Sequence, residues 1–465
     1  MAILTKDQTG TDRSSLFFRF VSGLYFIVMM ALLCVWWKNT PDSPSVYRIS
    51  GLFSVLLFSL SVLLFLRKWS ADWFLSSPQT QSDPCCDTIR FPAVLRLFAV
   101  LLFVDVSIIL LVWFLQWKLL GKTDFRSSLV LWSQTDSFHY LNIAKDWYLS
   151  EGSRDRVVEL VFLPGYPIAV RILSSILRNP LYAGMVVSAL SFAGGGTLLY
   201  CLARLDMDHR SALRVVRYAV LLPASFFYAA PQSESLFLLL SISCVYLARK
   251  QHWLPACILG GLASFTRSLG ILLLIPVGFE MIQSFRLRNE RVYSPSHRIL
   301  PFLMLLLILS GFAVYCLICW NVSGNPLQWM IYQRENWYQQ IGLFFDTAAF
   351  QAEQLVRYFQ NQEYDLMVGI RLPNLLASFA ALLIMALSFR RMRPGYAAYF
   401  ISYYVIAFGA TNLISGPRYL LVLFPYVFGI AEIIRKRAID IIVTILTAVL
   451  SLIYLLLFIY QCYIW

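Results

Sequence analysis

The residues most able to do chemistry stand in Trp132-Ser-Gln-Thr-Asp136-Ser-Phe-His139-Tyr140-Leu141. Asp136 and His139 are three apart, so a helix puts them on one face. A carboxylate beside an imidazole at a membrane surface has the makings of a general base, with the imidazole orienting or tuning the acid. The alternative is an ordinary helix start with Asp136 as its N-cap. Downstream in the same polar stretch, Phe162-Leu-Pro164-Gly165-Tyr166-Pro167 opens an amphipathic segment. Its prolines fix the backbone, and Gly165 permits another chain or a ligand to come close. In Ala230-Pro-Gln-Ser233-Glu234-Ser235, Glu234 either helps cap the next helix or meets substrate hydroxyls. Arg267 interrupts an apolar run and Arg418 opens another. Guanidinium is matched in shape and charge to phosphate, so the pair reads as an anion site, against snorkelling as the alternative.

These residues must be positioned by membrane helices. The 465-residue chain is 59% hydrophobic and only 14% charged, which excludes water-soluble enzyme folds, disordered scaffolds and disulfide-stapled secreted domains. About 20 apolar residues span a bilayer, and this measure gives about thirteen spans, near 16–36, 50–66, 96–116, 181–203, 212–230, 233–249, 254–266, 268–285, 299–320, 371–389, 396–412, 418–434 and 439–461. The expected fold is therefore all-α and polytopic. The pair flanking Arg267 is alternatively one bent helix.

The net charge of +13 has a topological explanation. Basic residues cluster in alternate connections: Arg67/Lys68/Arg90/Arg96, Arg204/Arg210/Arg214/Arg217, Arg249/Lys250, Arg286/Arg288/Arg291/Arg298, Arg390/Arg391/Arg393 and Arg435/Lys436/Arg437. The positive-inside rule puts these and the N-terminus in the cytoplasm, so nucleic acid is not an expected partner. Two long connections, about 117–180 and about 321–370, then face the exoplasm together with Asp136, Glu234, Arg267 and Arg418. Connections this long usually carry function, and their aromatic residues suit interfacial helices.

Other features carry less. Asp206-Met-Asp208 with His209 has the form of a metal-binding DxD but falls on the cytoplasmic side, and the four histidines lack ligand spacing, so no metal site is expected. Gly194-Gly-Gly196 reads as a close helix contact or a kink, and Asp105 as an intramembrane acid that pairs with an Arg or His in the bundle. Cys316 and Cys319 read as buried small side chains, and Cys85-Cys86 as an acylation site.

Five ordered blocks carry a family resemblance: Gln134-Thr-Asp136-Ser-Phe-His139-Tyr140-Leu141-Asn-Ile143-Ala144, Val161-Phe-Leu-Pro164-Gly165-Tyr-Pro167, Ser233-Glu234-Ser-Leu-Phe237, Arg267-Ser-Leu-Gly270 and Gly416-Pro-Arg418-Tyr419. Over about 120–435 the chain resembles the PIG-V family, the GPI mannosyltransferase 2 proteins and their bacterial relatives. The resemblance implies a GT-C glycosyltransferase with no cofactor, taking a sugar, mannose by analogy, from a polyprenyl-phosphate donor to a lipid or glycan acceptor on the exoplasmic face. It implies Asp136 as the inverting base, and His139, Glu234, Arg267, Arg418, Gln134, Pro164 and Gly165 as substrate-binding residues.

Two departures stand out. The catalytic loop follows the third span rather than the first, making 1–93 an N-terminal two-helix addition to a 94–465 catalytic module. Asp146-Trp147-Tyr148 replaces the family's Gly-Tyr, with a charged stretch from Glu151 to Glu159 after it, which leaves the acceptor open. The expected location is a bacterial plasma membrane, or the endoplasmic reticulum of a eukaryote, for which Asn321-Val-Ser323 is a candidate sequon. A lipid transporter or flippase is the competing class. It would place ionisable residues at the bilayer midplane in repeated halves, and no internal repeat is evident.

Overall fold

A computed structural model describes residues 2–74, 90–148, 157–287 and 295–464, leaving Cys85, Cys86 and most of the charged stretch after Glu151 outside the described residues. It is an all-α bundle; its one β-type contact among the described residues is an isolated bridge between Ile341 and Ala410. Among the described residues, eight helices are long and apolar enough to cross a membrane: Asp12–Asn39, Ser45–Phe74, Phe91–Leu120, Pro180–Ala203, Ser268–Arg286, Leu300–Ser323, Tyr364–Ser388 and Arg437–Ile459. The chain is a polytopic membrane protein.

The thirteen expected spans differ from these eight because several apolar runs fold as shorter or broken helices. The 418–434 run divides into Gly416–Leu421 and Phe424–Ile433, with Pro425 in the first turn of the second piece. The 254–285 run breaks at Arg267, which is extended (φ −145°, ψ 138°) between the Trp253–Thr266 helix and a 3-10 turn over Ser268–Leu273. Gly270 lies against the backbone of Ala263 and Ser264, where a Cβ would fall within 2.5 Å, so the chain doubles back there. Short helices of this kind are tolerated at membrane depth when protein surrounds them and satisfies their ends.

The bundle packs through small residues. Pro180–Ala203 crosses Ser233–Arg249 at Gly195, whose Cβ position is 3.1 Å from the Leu239 nitrogen, so the glycine triad serves helix contact. Ser45–Phe74 packs on Phe344–Gln360 and Leu372–Ser388. The Trp36 indole donates to Asp346 Oδ1 at 2.7 Å, and the Tyr47 hydroxyl donates to the same oxygen. Asp105 is fully buried, and the expected Arg or His partner is not found: neither carboxylate oxygen has a hydrogen-bond partner among the described residues. Cys316 and Cys319 are free thiols.

Both long connections contain helices. The first folds as Phe125–Leu129, Asp136–Asp146 and Gly165–Leu177, the second as Gln328–Trp337 and Phe344–Gln360. Of these elements, Asp136–Asp146 and Gln328–Trp337 contribute walls to the candidate site.

Candidate active site

Asp136 is the first residue of its helix and follows Thr135, a non-glycine residue at φ 57° and ψ −140°. Backbone held in so sparsely populated a region costs of order 1–3 kcal/mol and persists only where its surroundings impose it. Here Gln232 imposes it, its amide donating 3.0 Å bonds to both Thr135 Oγ1 and Ser137 Oγ. One turn on, the Tyr140 hydroxyl meets Ser233 Oγ at 2.8 Å. The start of the Asp136 helix is thus bolted to the start of the Ser233–Arg249 helix.

That second helix start holds Glu234, which is fully buried. Ser233 and Glu234 do not cap; among the described hydrogen bonds this helix start has no side-chain cap, while Ser235 donates to the Tyr228 carbonyl at 2.8 Å. Arg418 lies against Glu234 Oε1 through Nη2 (2.5 Å) and Nε (3.0 Å), and its Nη1 is 2.7 Å from Asp136 Oδ2. Arg267 donates to Glu234 Oε1 at 2.8 Å and to Ser233 Oγ at 3.0 Å. Two carboxylates and two guanidiniums therefore form one charge-balanced cluster. Burial of these charges is tolerable only because they pair, since desolvating an unpaired ion costs several kcal/mol. Asp136 Oδ1 has no partner among the described residues.

Gly165 supports the cluster from below. A Cβ there would lie 2.5 Å from Thr266 Oγ1 and 2.9 Å from Thr266 Cα, so the glycine lets the Pro164–Gly165 turn press on the chain just before Arg267. Both residues act on the site through packing.

A cavity of about 540 Å³ opens beside the cluster and has Asp136, Tyr140, Arg267 and Tyr419 on its wall. Its remaining lining is mostly apolar, with Phe312, Trp329 and Ile341 on one side, and Gln333, Arg334, Gln339 and Gln340 forming a polar margin. An amphiphilic cavity of this size suits a ligand with a polar head and a hydrocarbon tail. Arg418 is absent from the wall and only 2% exposed. It is therefore a clamp on Asp136 and Glu234 and not a free anion site.

Two sequence expectations are placed elsewhere. His139 does not contact Asp136 among the described interactions; it stacks on Phe162 (4.6 Å between ring centroids), and its Nδ1 stands 3.8 Å from Glu159 Oε1. His139 holds the Glu159 carboxyl below the usual carboxylate range. Gln134 lines a separate cavity of about 170 Å³ with Thr135, Phe458, Gln461, Tyr463 and Ile464. The Asp206-Met-Asp208 motif is structural: Asp206 pairs with Arg249 (2.6 Å) and Arg393 (3.3 Å), and Asp208 accepts from the Arg210 amide at 3.1 Å at the start of a helix.

Sequence reasoning missed Gln232, Tyr140, Tyr419 and Arg334. Gln232 offered a signal, a polar residue preceding Ser-Glu-Ser between two apolar runs, and Arg334 was a further basic residue on the side where such residues are scarce.

With this geometry established, comparison with known proteins adds one positive finding. A family model described as Mannosyltransferase (PIG-V) matches residues 121–458, which contain the whole cluster and cavity. No curated protein matches the chain.

Proposed function

Because the chain belongs to the PIG-V mannosyltransferase family, and is on that ground a membrane glycosyltransferase, we propose that it moves mannose from a polyprenyl-phosphate donor to a lipid or glycan acceptor on the exoplasmic face, with Asp136 as general base. The observation that carries the proposal is one carboxylate with two differently engaged oxygens. Asp136 Oδ2 is fixed by Arg418, while the side chain borders the amphiphilic cavity and Oδ1 makes no hydrogen bond among the described residues. A base held by one oxygen and open at the other is oriented before substrate arrives, which is where much of the advantage of a positioned catalytic group lies.

In the proposed reaction an acceptor hydroxyl binds beside Oδ1. Its oxygen attacks the anomeric carbon of the donor from the face opposite the phosphate, and its proton passes to Asp136. The bond from the anomeric carbon to the phosphate oxygen breaks, and that oxygen leaves with the electron pair as a lipid phosphate monoester. Configuration is inverted. Arg267, which reaches both the Glu234 cluster and the cavity wall, adds positive potential where negative charge grows. Two features support the exoplasmic side: the basic connections around Arg249 and Arg393 meet each other through Asp206, away from the cavity lining, and the long connections 117–180 and 321–370 both contribute residues to the cavity wall.

The test is transfer itself. Purified full-length protein with radiolabelled polyprenyl-phosphate mannose and a crude lipid acceptor should yield a labelled glycoside. Movement of the donor across vesicles with no glycoside formed would support the flippase reading and reject this one.

A further inference from the structure

The charge count around the cavity leaves one position unassigned. Three of the lining residues carry a formal charge at neutral pH: Asp136, Arg267 and Arg334. Asp136 and Arg267 belong to the four-membered cluster with Glu234 and Arg418, whose formal charges sum to zero. Arg334, on the Gln328–Trp337 helix, makes no ion pair or hydrogen bond among the described residues and is exposed. The cavity therefore carries one uncompensated positive charge, and it sits at the polar margin.

We propose that Arg334 recognises the phosphate of the lipid-linked donor, the role that sequence reading assigned to Arg267 or Arg418. The inference rests on the functional reading above. Arg418 is too buried and too fully paired to take a ligand anion, and Arg267 already shares Glu234. A guanidinium free of intramolecular partners loses no existing bond when it engages a phosphate, and its planar fork fits two phosphate oxygens. Its neighbours complete the match. Trp329 and Met330, on the same helix and also on the wall, supply apolar surface suited to isoprene units, and the exposed Gln340 adds a polar side chain. One net positive charge pairs with one phosphodiester, which carries one negative charge. When the sugar departs, the phosphate becomes a monoester of higher charge, so Arg334 binds the product more strongly than the donor and stabilises charge that grows during transfer.

The experiment separates this inference from the functional one. Full-length wild type, R334Q and R334K are tested for binding of a short-chain polyprenyl phosphate and of the matching uncharged polyprenol, and for transfer from polyprenyl-phosphate mannose. The expected result is phosphate binding weakened about tenfold or more in R334Q, by an intermediate amount in R334K, whose ammonium keeps the charge but not the fork, and polyprenol binding unchanged in both. The alcohol arm reports that the cavity is intact, and because Arg334 is exposed neither variant removes a buried contact. If R334Q loses no more affinity for the phosphate than for the alcohol, the assignment of Arg334 is overturned whatever the transfer result. Wild type that binds the phosphate through Arg334 yet transfers no sugar would keep the assignment and reject the mannosyltransferase reading instead.

Discussion

Removing Arg418 tests the architecture of the site at its keystone. The side chain is 2% exposed and makes three contacts of 3.0 Å or less with two carboxylates, one of which, Glu234, is fully buried. Arg418→Met keeps most of the volume but leaves Glu234 with Arg267 as its single cationic partner and Asp136 with none. Breaking a buried ion pair by removing one member costs about 3–5 kcal/mol, chiefly because the other charge stays buried. At about 1 °C per kcal/mol, the value that the per-residue unfolding entropy gives for a chain of this length, the thermal midpoint in detergent should fall by about 3–5 °C. Glu234→Gln alone takes the carboxylate from Arg267 and leaves Arg418 with Asp136 as its one anionic partner among the described residues, and it should cost a similar amount. In the double variant neither Glu234 nor Arg418 is left as a buried charge facing a missing partner, although Asp136 and Arg267 still lose theirs, so its loss should be smaller than the sum of the singles by about 1 kcal/mol or more. Thermal midpoints from fluorescence-detected gel filtration at one heating rate measure all three. Additive losses, or single variants within about 1 °C of wild type, would refute the claim that these residues act as one buried unit.

Three further outcomes are expected. Gln232→Leu removes both bonds that hold Thr135 and Ser137, so the base should be misoriented while the cavity persists: kcat about tenfold lower with donor KM little changed in steady-state assays. Glu159, whose carboxyl is depressed by His139, contributes stability that is present above the ordinary carboxylate range and lost as pH falls through its lowered value. The thermal midpoint of wild type should therefore exceed that of Glu159→Gln near neutrality, with the gap closing below about pH 4. Asp206→Asn should lower stability by about 2 kcal/mol or more through its lost pairs with Arg249 and Arg393, yet leave donor KM unchanged. A raised KM would return the motif to donor binding.

Membrane helicity was legible in the sequence because hydrophobic runs and basic clusters are local signals. The break at Arg267 was legible as a charge interrupting an apolar run, but the division of the 418–434 run ahead of Pro425 was not, since apolar residues continue through it. Asp136, Glu234, Arg267 and Arg418 stood out individually as charges in apolar surroundings, and the structure brings all four together. Their division of labour was not legible. Spacing put His139 on the face of Asp136, but stacking on Phe162 and the approach of Glu159 take the imidazole elsewhere. Similarly, two arginines that read as phosphate ligands are occupied by Glu234, which only three-dimensional charge counting reveals, and the same counting singles out Arg334.

The central claim is that Asp136 is the base. Asp136→Asn keeps the side chain's shape and its contact with Arg418 while removing its capacity to accept a proton. Transfer from polyprenyl-phosphate mannose by the purified variant should fall by about 10²–10⁴-fold, with donor binding within a few-fold of wild type and an unchanged gel-filtration profile. Turnover within a few-fold of wild type by a folded Asp136→Asn protein would contradict the account.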